Sequence, residues 1–174
     1  QEVSDSLAKH DVRPIAHLDD YGLIGPDLNA VHMTQLNDDE IALLARENAS
    51  VIHCPSSNMK LASGFCPTTK LLENEVNVAL GTDGAASNND LDMFSEMRIA
   101  ALIAKGGNRD ATALAADDVL KMATLNGARA LGIEQDTGSI AKGKAADLIA
   151  VRIDTIETTP VYDPASQVVY ACGR

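Results

Sequence analysis

The chain has 174 residues, with 14 lysines and arginines against 25 aspartates and glutamates, for a formal net charge of −11. It is too short for a complete (β/α)8 barrel, which takes roughly 250 residues and at least about 200, yet long enough to bury a sizeable core. The acidic balance argues against nucleic acid and anionic membranes as partners, since both need clustered Lys and Arg; the 45% hydrophobic content excludes a disordered tail.

In chain order, residues 4–10 read as part of a helix, and Pro14 makes residues 12–16 irregular. Residues 29–33 (NAVHM) are short, apolar and preceded by Gly25-Pro26-Asp27, the pattern of a strand. Asn37 stands three residues before Glu40, a capping-box spacing that starts a helix running to about residue 48. Residues 50–53 (SVIH) form a second predicted strand, closed by Pro55 and followed by a loop rich in Ser and Asn. Residues 68–75 read as a short helix, and residues 76–82 (VNVALGT) as a third strand ending at Asp83-Gly84. Residues 91–105 carry Phe94, Met97, Ala101 and Ala104 at helical spacing, with Gly106-Gly107-Asn108 as the stop. Short apolar strands alternating with helices predict parallel βαβ units with both sheet faces covered.

The pattern changes after residue 108. Residues 117–125 and 128–131 read as helix interrupted at Asn126-Gly127, with Gly132 as the stop. Residues 138–140 and 147–151 read as two strands around a hairpin turn at Lys142-Gly143-Lys144, and residues 167–171 (QVVYA) as another strand. The tail is therefore expected to be a small β-rich unit.

Cys54, Cys66 and Cys172 are odd in number and lack CxxC spacing, which favours free thiols in a reducing, cytoplasmic setting. No apolar stretch approaches the roughly 18 residues of a membrane helix. Gln1 rather than Met opens the chain, so a processed protein or a piece of a longer one is expected.

In parallel α/β folds the functional side chains lie at the carboxyl ends of strands. Here His32, His53 and Asp83 stand at the ends of three consecutive predicted strands. Adjacent strands lie about 4.8 Å apart, so such groups can converge on one ion or substrate. Each also has a plainer reading: His53 can brace the turn at Cys54-Pro55, Asp83 can serve the turn at Gly84, and Ser57, Asn58, Ser87, Asn88 and Asn89 can cap helices. Cys54 reads as a buried, inert thiol.

Four segments carry a resemblance: HCPSSNMKLASGFCP at residues 53–67, LGTDGAASNNDLDMFSEMR at residues 80–98, ATLNGARALG at residues 123–132 and GSIAKGKAADLIAV at residues 138–151. Together they resemble the amidohydrolase superfamily, in its 5′-methylthioadenosine/S-adenosylhomocysteine deaminase branch, with triazine hydrolases and guanine deaminases as relatives. The resemblance implies the C-terminal half of a metal-dependent (β/α)8 TIM-type barrel with part of an appended β-sandwich. Residues 1–132 would supply barrel strands six to eight with their flanking helices, and residues 133–174 part of the sandwich.

By the same resemblance, Asp83 would be a ligand of one divalent metal ion, zinc with iron as the alternative, and would act as general acid and base. His32 would hydrogen-bond the attacking hydroxide and the substrate, and Ser87 would contact the substrate ring. His53 would mark the seventh strand without an assigned role. The implied reaction is hydrolytic deamination of an adenine nucleoside or related heterocycle by metal-activated water. The family's HxH pair, its fifth-strand His and the nearby Glu do not occur in this sequence, so the chain alone is expected to be inactive. A triazine- or guanine-type hydrolase and a non-catalytic half-barrel are the alternatives. A half-barrel leaves sheet edges unpaired, which predicts self-association into a homo-oligomer.

Overall fold

The computed structural model describes residues 2–173. Helix α1 spans Glu2–His10 and α2 spans Pro14–Asp20. Residues 12–16 were expected to be irregular, but Pro14 stands in the first turn of α2, where its missing N–H has no intrahelical partner to lose and its fixed φ suits the helix. Strand β1 covers Asn29–Val31, and α3 covers Asp38–Arg46. The predicted capping box is formed: Asn37 Oδ1 accepts from the Glu40 backbone N–H at 2.9 Å, and Glu40 accepts from the Asn37 N–H at 2.9 Å. The same Glu40, although buried, pairs with Arg13 at 2.7 Å and so ties α3 to the start of α2.

Strand β2 covers Ser50–His53 and runs directly into helix α4, Pro55–Lys60, where a loop was expected. Pro55 starts this helix as Pro14 starts α2. Helix α5 (Thr68–Glu73), strand β3 (Asn77–Leu80) and the single turn α6 (Ala85–Asn88) follow. Helix α7 spans Met93–Asn108, and Asp92 caps it by accepting from the Phe94 N–H at 3.0 Å. Gly106 and Gly107 lie inside α7 rather than ending it; the chain leaves the helix at Arg109, which takes a left-handed φ of 54°.

The break before residue 128 falls at Thr124, between α8 (Ala116–Ala123) and α9 (Leu125–Ala130), not at Asn126-Gly127. Asn126 is buried in α9 and donates its side-chain amide to the Val78 carbonyl of β3 at 2.9 Å. A long-range sheet contact thus explains a residue that reads locally as a breaker.

The three strands form one parallel sheet in the order β1-β2-β3, with Val51 opposite Ala30 on one side and Val78 on the other. The expected βαβ arrangement is therefore present. Burial on both faces holds across Val78, Ala79 and Leu80 of β3, but β1 exposes Asn29 and Val31 on either side of buried Ala30. The core joins Val51 and Val78 to Leu44 of α3, Leu71 of α5, Ala101 of α7 and Val119 and Met122 of α8.

The C-terminal part departs furthest from expectation. Residues 138–140 and 147–151 form no strand; among the described residues the sheet ends with β3. The turn around Lys142-Gly143 is kept, with the Ala145 N–H donating to Asp136 O at 2.8 Å and Lys144 Nζ to Thr137 O at 3.2 Å. A strand needs a neighbour to receive its backbone groups, and among the described residues none lies beside these segments. Residues 167–171, also expected as a strand, lie in or beside helix α10 (Pro164–Tyr170). Asp163 caps it by accepting from the Ser166 N–H at 2.7 Å, and Pro164 opens its first turn. Val169 is fully buried in the core, and Arg98 of α7 donates to Cys172 O at 2.7 Å just beyond the helix. Among the described residues no helix is long and apolar enough to cross a membrane.

Candidate active site at the strand ends

The chain leaves β1 and β3 through backbone turns that few side chains tolerate. His32, directly after β1, has φ 71°, and Asp83, three residues after β3, has φ 59°. Both lie in the left-handed region, where His and Asp are enriched but still pay a local penalty. The His32 N–H donates to Ile52 O of β2 at 3.0 Å, which holds the turn against the sheet. The two side chains meet there: His32 Nε2 lies 3.7 Å from Asp83 Oδ2, and both remain partly open to solvent.

Helix α4 supports both groups from a single turn. Ser57 Oγ donates to Asp83 Oδ2 at 2.7 Å, and the next residue, Asn58, places Oδ1 2.9 Å from His32 Nδ1. Ser57 and Asn58 are almost wholly buried. The Gly84 N–H donates to Asp83 Oδ1 at 2.7 Å. Hydrogen bonds from Ser57, then from Ser87, then from the Gly84 N–H, with the imidazole of His32 nearby, hold the Asp83 carboxyl down at about 2. Asp83 is therefore an ionised acceptor at neutral pH. The Ser87 Oγ also lies 3.0 Å from Gly84 O, so its hydroxyl belongs to the same turn.

His53, at the end of central β2, is buried, and among the described residues its Nδ1 has no hydrogen-bond partner. Burial, with His32 close by, pushes its pKa down to about 4, so the ring is neutral at pH 7. Burial also pushes the Cys54 thiol up to about 11 and the Cys66 thiol up to about 12. Both remain protonated and unreactive, and all three cysteines are free, as the sequence pattern predicts.

Sequence reasoning missed two kinds of contributor. Ser57 and Asn58 were read as helix caps, whereas their side chains hold Asp83 and His32; their position just past a strand end was the available signal. Glu96 passed unnoticed. It lies fully buried on the inward face of α7 beside Met97 and Ala100, and an acid on that face is the signal. It accepts from Asn88 Nδ2 at 2.8 Å and from the Ser56 N–H at 3.2 Å, while Asn88 Nδ2 also donates to Thr82 O at 2.7 Å. Glu96 thereby joins the start of α4 to the turn that carries Asp83.

Asp83 is ionised and partly exposed, which suits one hard oxygen ligand. A catalytic zinc takes three protein ligands and an open position. Among the described residues no group of three or more His, Cys, Asp and Glu side chains is placed to hold an ion. The chain's own residues thus fit one coordination position and do not complete a site.

The chain is similar to known proteins along most of its length. The model of the amidohydrolase family matches residues 1–171. A 5-methylthioadenosine/S-adenosylhomocysteine deaminase of Saccharophagus degradans is 50% identical over 169 residues, covering 97% of this chain and 38% of that protein. A 5'-deoxyadenosine deaminase of Methanothermobacter thermautotrophicus is 52% identical over 172 residues, covering 99% of this chain and 40% of that protein. The crystal structure of an adenosine deaminase from Xanthomonas campestris with bound zinc superposes with a TM-score of 0.98 at 56% identity, over 99% of this chain and 39% of that one. An atrazine chlorohydrolase from Arthrobacter aurescens complexed with zinc gives a TM-score of 0.91 at 26% identity, over 97% of this chain and 37% of that one. The chain spans about two fifths of the length of these curated relatives.

Proposed function

The chain belongs to the amidohydrolase family, and from that premise we propose that it is the C-terminal half of a metal-dependent deaminase that hydrolyses the C–N bond of an adenine nucleoside. In this reading β1, β2 and β3 are barrel strands six, seven and eight, and residues 133–174 contribute to an appended β-sandwich through the extended stretch before α10. The observation that carries the reading is the meeting of Asp83 and His32 at the strand ends, with Asp83 held ionised by Ser57, Ser87 and Gly84. The 50% identity to a deaminase favours an adenine nucleoside over a triazine, for which the likeness is 26%.

The chain's own residues then divide the work. Asp83, an acceptor with no proton of its own at neutral pH, takes a proton from the attacking water and returns it to departing ammonia. His32 binds the oxygen as it adds to the ring carbon. Ser87 faces the substrate ring. Asp83 would hold one divalent ion, zinc by likeness to the Xanthomonas structure, with the remaining ligands supplied from outside this chain. When bound, such an ion lowers the pKa of water and makes it nucleophilic at neutral pH. The chain alone is expected to be inactive, and its substrate is a small molecule.

A chimera tests this. Residues 1–173 replace the matching segment of the Saccharophagus deaminase, and loss of adenine absorbance on 5′-methylthioadenosine is followed. The chimera should turn over, and Asp83→Ala should reduce kcat by at least about a thousandfold. Full activity in Asp83→Ala removes the assignment.

A further inference from the structure

Asn58 differs from the other groups around the pair, because it touches His32 on the nitrogen that faces away from Asp83. Its Oδ1 lies 2.9 Å from Nδ1, whereas Nε2 faces Asp83 Oδ2 at 3.7 Å. The two ring nitrogens are distinct, and the partner of one sets what the other carries. The Asn58 side chain has little freedom. It is 1% exposed, its N–H donates to Cys54 O at 3.0 Å at the start of α4, and its Nδ2 is buried with no partner among the described residues. Ser57, its neighbour, holds Asp83 from the same turn.

We propose that Asn58 is a positioning residue that selects the tautomer of His32, keeping the proton on Nδ1 and leaving Nε2 as a lone pair directed at Asp83. An amide oxygen accepts, so the ring nitrogen it meets must donate. With its proton on Nδ1, His32 presents an acceptor at Nε2, and the carboxylate oxygen of Asp83 presents another 3.7 Å away. A water, which brings one O–H to each, satisfies the gap; a bare anion does not. His32 is thereby a proton-accepting partner of Asp83 toward the attacking water. The catalytic consequence of this tautomer rests on the function proposed above.

Two measurements test it. In the 15N-labelled chain at about pH 8, above the ordinary histidine pKa of about 6.5, long-range 1H–15N correlation reads the protonated nitrogen of each ring. His32→Gln identifies the His32 signals. His32 should show Nδ1–H. Asn58→Leu should lose that pattern and Asn58→Asp should keep it, while the signals of His10, His17 and His53 stay in place as a fold control. Nε2–H in the unsubstituted chain overturns the proposal, as does an unchanged His32 in Asn58→Leu. If Asn58→Leu does not fold, Asn58→Asp decides: Nδ1–H supports the proposal and Nε2–H overturns it.

In the active chimera, Asn58→Leu should lower kcat about 10- to 100-fold with little change in KM, and Asn58→Asp should restore most of it. Unchanged kcat in Asn58→Leu overturns the positioning role while the deaminase reading stands. If the unsubstituted chimera has no turnover, the deaminase reading fails, and the ring spectra still decide the tautomer.

Discussion

Val51 and Val78 lie on neighbouring strands of the parallel sheet and are fully buried, whereas Ile140, Ile149 and Ile156 are 89%, 80% and 92% exposed. Both regions are rich in residues that favour strands. The difference lies in what stands beside them. Strand β2 has β1 and β3 on its two sides, each delivered by a local βα crossover, and helices α3, α5 and α8 close on the apolar face. The stretch from residue 138 to residue 153 has a turn but, among the described residues, no neighbouring strand to take its backbone groups. Apolar side chains near 147–151 thus make a strand only where another strand exists, which is a property of the surroundings rather than of the segment.

The contrast breaks most visibly through the core. Leu71 is fully buried, so Leu71→Ala should cost about 2–5 kcal/mol in urea unfolding followed by circular dichroism. A loss below about 1 kcal/mol would show the sheet region to be no better packed than the tail. Next comes His53, which couples the sheet to pH. Its folded-state pKa, about 4, lies below its unfolded value, so the unfolded chain takes up the proton first as pH falls. Stability should be full above about pH 6.5 and decline by about 3 kcal/mol on the way down to about pH 4. His53→Gln should flatten that slope, and an unaltered slope would assign it to another group. The smallest effect belongs to the exposed stretch: Ile149→Ser should change stability by no more than about 0.5 kcal/mol. A larger loss in the same denaturation assay would mean that this segment has a partner after all.

Much of the site was legible in the residues because it depends on strand ends. A short apolar run followed by a turn marks a carboxyl end, and His32 and Asp83 stand just past two of them. The Asn37–Glu40 box was legible for a similar reason, since both bonds close within one turn. Helix α4 was not, because its Ser and Asn residues favour loops as readily as first turns, and Pro55 alone does not choose between them. Helix α10 was misread because Val168, Val169 and Tyr170 favour strands. The cap at Asp163 and the burial of Val169 against α7 and α8 override that preference.

The amino-acid sequence by itself determined the alternation of strands and helices, the free cysteines with Cys54 inert, and the placing of an imidazole and a carboxylate at strand ends. These follow from periodicity and turn chemistry over a few residues. Only the tertiary structure decided that His53 is sealed away while His32 meets Asp83, and that Ser57 and Asn58 hold the pair from one helical turn. Each of these depends on groups brought together across 20 or more positions of chain, such as the 26 between Ser57 and Asp83, and burial and hydrogen bonding at that range are set by packing.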